Sequence, residues 1–153
     1  MMQKLSRFVK KIGVFIRLPW SNRSLLVEAL IYSAIARLVI LVIPFKKYKK
    51  YMGKYNEETS FEGDSRSNEI INKVGWAVRV VCSRTPWQSK CLVQALIAQR
   101  MLRKRHICST LYLGISKNEE NDLSAHAWLR CGQVFITGGD NKDLFVQVAR
   151  FSN

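Results

Sequence analysis

Histidine is scarce in this chain: 153 residues hold two, His106 and His126. Imidazole chemistry therefore rests on one of two positions, and His106 falls in a basic helix end. Four cysteines occur, Cys82, Cys91, Cys108 and Cys131, with no Cys-x-x-Cys pair among them. Together with the histidines they offer no close ligand pairs, which argues against structural zinc. There is no Gly-x-Ser-x-Gly elbow to raise a serine nucleophile. There is no Gly-rich loop to cradle a phosphate, so nucleotide use has no support. No metal and no cofactor is expected. Met1 to Lys11 is basic but has no small-residue cleavage site before the long apolar run, so no signal peptide is recognised. Unpaired cysteines and no such signal point to a reducing, cytoplasmic setting with free thiols.

Acidic residues are almost missing from the front of the chain. Residues 1 to 54 hold 12 Lys/Arg and one acid, Glu28, a balance of +11. The rest holds 13 Lys/Arg and 10 Asp/Glu, a balance of +3, which completes the net +14. Such a lopsided charge suggests attachment in front and chemistry behind. The anionic partner would be a membrane surface, an acidic protein or nucleic acid. Nucleic acid is the weakest of these, because zinc-finger spacing, an RNP-like strand and a basic Gly-x-x-Gly loop are all lacking.

What is present reads as one domain, or a small domain with a helical appendage. Residues 3 to 16 predict a basic amphipathic helix, with Leu5, Phe8, Val9 and Ile12 on one stripe. Pro19 breaks it, and Ser21 or Asn22 is the expected cap of the next helix. Residues 25 to 45 are the most apolar stretch and approach the ~20 residues that span a bilayer. Glu28 and Arg37 interrupt them at a cost in hydrocarbon. A buried or membrane-surface helix is therefore expected, ended by Pro44 and the basic run after it. Residues 1–54 form this N-terminal helical region, 55–66 a polar linker, and 67–153 the core domain.

In the core, Ser67 to Ser83 predicts a helix with Ile70, Val74, Ala77 and Val81 as its stripe. Arg84, Thr85 and Pro86 end it. A second, central helix runs from near Ser89 to about Lys104. Strand propensity follows over 108 to 115, then a hairpin of 125 to 131 and 133 to 137 about Gly132, then 144 to 151. Helices first and a small antiparallel sheet after them make an α+β fold.

With Ser89 as N-cap, Cys91 falls in the first turn of the central helix. Unpaired N–H groups and the helix dipole favour a thiolate there and could hold a developing oxyanion. A cysteine taken blind is more often a small core residue, and that reading is kept for Cys82, Cys108 and Cys131. His126 lies in a strand between Ala125 and Ala127, with Trp128 on its own face by the two-residue period. A buried strand histidine needs a partner. Such a base needs a third group to hold its ring. A three-residue turn at Cys131 to Gln133 would put Gly138 opposite His126 and Asp140 diagonal to it. Asp140 is the choice this register makes, with Asp143 and Asp122 behind it.

Pro86-Trp87, Cys91-Leu92, Ala95-Leu96, the strand ending Leu113-Gly114, and Ala125-His126-Ala127-Trp128 together resemble the lasso peptide maturation proteases, which are transglutaminase-like cysteine peptidases. The resemblance covers residues 67 to 151, and 41 to 47 more loosely. It implies a papain-like core: a helix bearing the cysteine packed on a sheet bearing the histidine. It also implies that the chain removes the leader from a ribosomally made precursor peptide and hands the core peptide to a macrolactam-forming cyclase. The nucleophile maps onto Cys91 and the base onto His126. Beside the resemblance, the helix start at Cys91 and Gln88 are the expected oxyanion donors, with Gln88 as a solvated residue before the helix the alternative. Many relatives carry an acid a dozen or so residues beyond the histidine, where this chain reads Ile136-Thr137-Gly138-Gly139. Asp140 substitutes, or a backbone carbonyl or water orients the ring. Residues 1 to 54 do not resemble the leader-recognition module that some relatives fuse in front. A separate leader-recognition protein is thus implied, with the basic N-terminal region docking a partner. Three rivals stand beside this reading: an acyl transferase of the same architecture, a non-catalytic peptide or cyclase scaffold, and a membrane-anchored protein.

Overall fold

A computed structural model describes residues 17–62, 67–117 and 122–153. The amphipathic stretch over 3 to 16 lies outside the described residues. The first long helix, α1, is Trp20–Val42. Nothing in it breaks a helix, and prolines bound it on both sides. Pro19 is the N-cap and offers no side-chain bond. Ser21 and Asn22 lie inside the helix, so the expected cap is one turn too late. At the other end Pro44 forces Ile43 into an extended conformation. A one-turn helix, α2 (Phe45–Tyr48), and a 3-10 turn, Lys49–Tyr51, follow.

Helix α3 (Asn68–Cys82) buries Ile71, Val74, Ala77, Val78 and Val81 at helical spacing. Helix α4 (Cys91–Arg103) is apolar on most sides and buries Val93, Ile97, Ala98, Met101 and Leu102. It is the central helix, packed against α1, α3 and the sheet. The sheet has five strands, β1 (Lys54–Tyr55), β2 (Thr110–Lys117), β3 (Leu123–Cys131), β4 (Val134–Thr137) and β5 (Val146–Ser152), in the order β1-β5-β2-β3-β4. Every neighbouring pair is antiparallel. The fold is α+β, as the sequence implies.

The two faces of the sheet do different work. Leu111, Ala127, Leu129 and Phe151 join the helices in one hydrophobic core. That core also takes Leu25, Leu26, Ala29, Tyr48 and Met52 from the N-terminal region. The core therefore runs across the boundary drawn at residue 54. Glu28 reinforces the junction with an ion pair to Arg105 at 2.6 Å and a longer one to Lys104.

The expected linker over 55–66 is also replaced, as far as it is described, by structure. Lys54 and Tyr55 pair with Ser152 and Phe151. Residues 56–62 then clamp the face of the sheet opposite the helices. Arg130, 1% exposed, projects from β3 into this clamp. It meets Glu58 at 2.9 Å, the Tyr112 hydroxyl at 2.8 Å and the Thr59 carbonyl at 2.8 Å, beneath the Phe61 ring. Glu58 also pairs with Arg150 at 2.7 Å. A hydrogen bond from the Tyr112 hydroxyl, and the Arg130 and Arg150 guanidiniums, hold the Glu58 carboxyl below its ordinary range despite its burial. A buried cation needs this many partners to repay its desolvation.

Candidate active site

Cys91 is the first residue of α4, with Lys90 as the N-cap. Lys90 gives no side-chain cap. The expected cap, Ser89, instead shares a 2.8 Å hydrogen bond with the Thr85 hydroxyl, and its carbonyl accepts from Gln94 Nε2 at 2.9 Å. These bonds fix the turn that delivers the chain to Cys91. The first intrahelical bond runs from Gln94 N–H to the Lys90 carbonyl at 3.1 Å. The N–H groups of Cys91, Leu92 and Val93 thus stand outside the helical ladder, at its positive end. Cys91 is half-buried against the core. Gln88 is exposed and makes no hydrogen bond among the described residues.

All four cysteines are free thiols. Burial pushes the Cys82 thiol up, against a hydrogen bond to Ser89. Burial does the same to Cys131, whose Sγ reaches the Cys108 carbonyl at 3.0 Å. Raised thiols of this kind are poor nucleophiles. His106 takes a left-handed conformation, φ 56°, just beyond α4. Ile107 N–H returns to the Leu102 carbonyl at 3.1 Å, so this histidine terminates a helix.

His126 sits in β3 opposite Gly114 of β2. Strand alternation puts its ring on the side of Trp128 and Arg130, away from the helices. It stacks on Phe145 with centroids 4.8 Å apart and on Trp128 at 5.9 Å. Gly114 makes the room. A Cβ there would come within 2.8 Å of the Trp128 ring and 2.9 Å of Phe145 Cβ. The ring is held at Nε2, 2.9 Å from the Gly138 carbonyl oxygen. A carbonyl only accepts, so Nε2 carries the proton. In the neutral ring Nδ1 is then the basic nitrogen, and it has no hydrogen-bond partner among the described residues.

The orienting group is thus a backbone carbonyl, at the residue where the resemblance would look for an acid. Asp140 is exposed and forms no hydrogen bond or ion pair among the described residues. The expected register fails for a physical reason. The hairpin turn has two residues, Gly132 and Gln133, since Cys131 pairs with Val134. A bulge then shifts the ladder so that Leu129 faces Thr137. Both changes move Gly138 away from the position opposite His126. It still reaches the ring because its φ is +68° and its Cα approaches β3 closely: a Cβ would lie 2.4 Å from the Ala127 oxygen. Asp143 is exposed and pairs with Lys142, and Asp122 is exposed just before β3. No hydrogen bond joins Cys91 to His126.

A family model, the transglutaminase-like superfamily, matches residues 39–150. The chain belongs to the transglutaminase-like superfamily. The match starts near the end of α1, so only the last turn of that helix, residues 39–42, lies within the matched region. No curated protein and no solved structure matches the chain. The superfamily includes cysteine peptidases. Phe145, the room that Gly114 gives the ring, and Gly138 as the particular carbonyl that holds it escape a reading of the sequence alone. The paired glycines at 138 and 139 were the available signal, because a chain that must press against a neighbouring strand has no room for Cβ.

Proposed function

We propose that this transglutaminase-like chain is the leader peptidase of lasso peptide biosynthesis, acting through Cys91 and His126. The single observation that carries the reading is the His126–Gly138 bond, which holds an imidazole with its basic nitrogen unoccupied. His126 lies on the face of the sheet turned away from α4, so the mechanism needs peptide binding to rearrange the edge of β3 and bring the two side chains together; Nδ1 then takes the proton of the Cys91 thiol. The thiolate attacks the scissile carbonyl. The N–H groups at the start of α4 meet the oxyanion, with Gln88 beside them. The imidazolium returns its proton to the departing amine, leaving a leader acyl-enzyme that water hydrolyses. Release of the amine frees the core peptide for a macrolactam cyclase. The partners are the precursor, a separate leader-recognition protein and that cyclase, in the cytoplasm.

A second reading is a non-catalytic peptide or cyclase scaffold. It is favoured by one observation: no hydrogen bond joins Cys91 to His126, whose ring lies on the side of the sheet turned away from α4. Incubating the precursor with the recognition protein and this chain separates the two. Cleavage read by mass spectrometry should vanish in Cys91→Ala and in His126→Ala. A free carboxylate on the leader marks hydrolysis, and a leader joined to an added amine marks an acyl transferase. Unchanged processing by Cys91→Ala would sink the peptidase reading in favour of the scaffold.

A further inference from the structure

Helix α1 has one side in the core and the other in solvent, and both are apolar. Leu25, Leu26, Ala29 and Ser33 are buried. On the outside, Val27, Ile31, Ile35, Leu38, Leu41 and Val42 form a continuous stripe, each 47 to 69% exposed. They recur at three- and four-residue steps, so they share one face. Between Ser24 and Val42 the only charged residues, Glu28 and Arg37, lie at the margins of the stripe and are half-buried. A soluble surface helix carries its polar residues there. An apolar patch of this length marks an interaction surface.

The ends of the stripe carry cations beside aromatic rings. Arg23 lies over Trp20, which is 76% exposed, at the front. Lys46, Lys47, Lys49 and Lys50 are exposed at the back, with Lys50 over Tyr51. A groove of about 460 Å³ between α1 and α4 shares Ile35 with the stripe and is rimmed by Arg100 and Arg103. Apolar surface framed by Trp, Tyr, Lys and Arg matches the layers of a lipid interface, acyl chains within and anionic headgroups without.

We propose that this face docks on a membrane surface rich in anionic lipid, with α1 lying in the plane of the bilayer. The helix has the length and hydropathy to span: 23 residues, with mean hydropathy 2.2 over its most apolar 18-residue window. Its inner face prevents that. Spanning would pull Leu25, Leu26 and Ala29 out of the core and break the Glu28–Arg105 pair. Only 22% of its most apolar window is buried, which leaves the outer face free for lipid. The proposal is independent of the peptidase reading.

The test is flotation of the full chain with vesicles of pure phosphatidylcholine and of phosphatidylcholine with phosphatidylglycerol. Binding is expected to the anionic vesicles, with release by high salt and by alkaline carbonate. Replacing Lys46, Lys47, Lys49 and Lys50 by Gln should weaken partitioning on the order of several hundredfold, at roughly fivefold per cation. Ile35→Glu with Leu38→Glu should abolish it while circular dichroism stays unchanged. The lysine variant carries the test if the glutamate variant does not fold. Failure to bind anionic vesicles overturns the proposal, as does binding that survives either variant. Carbonate-resistant binding overturns it in favour of a spanning helix. A lipid-free dimer in sedimentation that Leu38→Glu dissolves overturns it in favour of a second copy on this face.

Discussion

Gly138→Ala tests how the imidazole is held. The residue sits at φ +68°, where alanine costs about 1–2 kcal/mol before any contact is counted. Its new Cβ would stand 2.4 Å from the Ala127 oxygen, whereas such a contact ordinarily needs about 3.3 Å. The two segments must therefore part by nearly 1 Å. The Nε2···O distance, 2.9 Å, would then pass the limit of a useful hydrogen bond. A catalytic group displaced by about 1 Å costs roughly 100-fold in rate. Initial rates of precursor cleavage should fall by about that factor, and the melting temperature by roughly 3–6 °C. Asp140→Asn should keep the rate within about twofold, since that carboxylate makes no contact the site needs. A folded Gly138→Ala enzyme at full rate would refute the reasoning. So would an Asp140→Asn enzyme that is dead, because the orienting group would then be the carboxylate.

Arg130→Met leaves Glu58 and the Tyr112 hydroxyl without their cation and should cost about 3 kcal/mol in urea unfolding. A loss below about 1 kcal/mol would mean that the 56–62 clamp adds little. Glu28 gives a pH prediction. Burial alone would raise its carboxyl, but the hydrogen bond and charge of Arg105, with Lys104, outweigh it and hold the group below 4.5. A depressed carboxylate contributes stability that is present above its unfolded value and lost as pH falls through the folded one. The urea midpoint should therefore fall below about pH 4.5, and Glu28→Gln should flatten that slope. Parallel slopes for the two proteins would show that another carboxylate controls it.

Much of the fold was legible because its elements obey simple periods. Val74, Ala77 and Val81 mark α3 by turns of a helix, although Ile71 and not Ile70 completes the buried stripe, and the alternation of Ala127 and Leu129 with Trp128 marks β3 by pairs. The 56–62 clamp was not legible, because its residues are polar except for Phe61 and polar runs read as linkers. Its signal lay elsewhere, in Arg130. An arginine between Leu129 and Cys131 in a strand buried on its core face demands an acid, and Glu58 supplies it from far along the chain. The hairpin register was out of reach for a different reason. Turn length and bulge each shift the pairing by one, and neither leaves a residue pattern that the flanking strands would betray.

The fold carries unmet cost at a few buried polar atoms. Four buried side-chain atoms lack a hydrogen-bond partner among the described residues: Asn22 Oδ1, Arg23 Nε, Trp87 Nε1 and Thr137 Oγ1. Two of them lie on the approaches to the candidate site. Trp87 stands in the turn that delivers Cys91, and Thr137 directly precedes Gly138. An unpaired buried polar atom costs about 1–3 kcal/mol, and packing alone would favour a leucine at the first position and a valine at the second. Together with the left-handed Gly138 and the empty Cβ position of Gly114, these costs gather around the two chain segments that hold Cys91 and His126. Local rules give way in this manner where a site is built. The core stripe of α3, by contrast, obeys every rule.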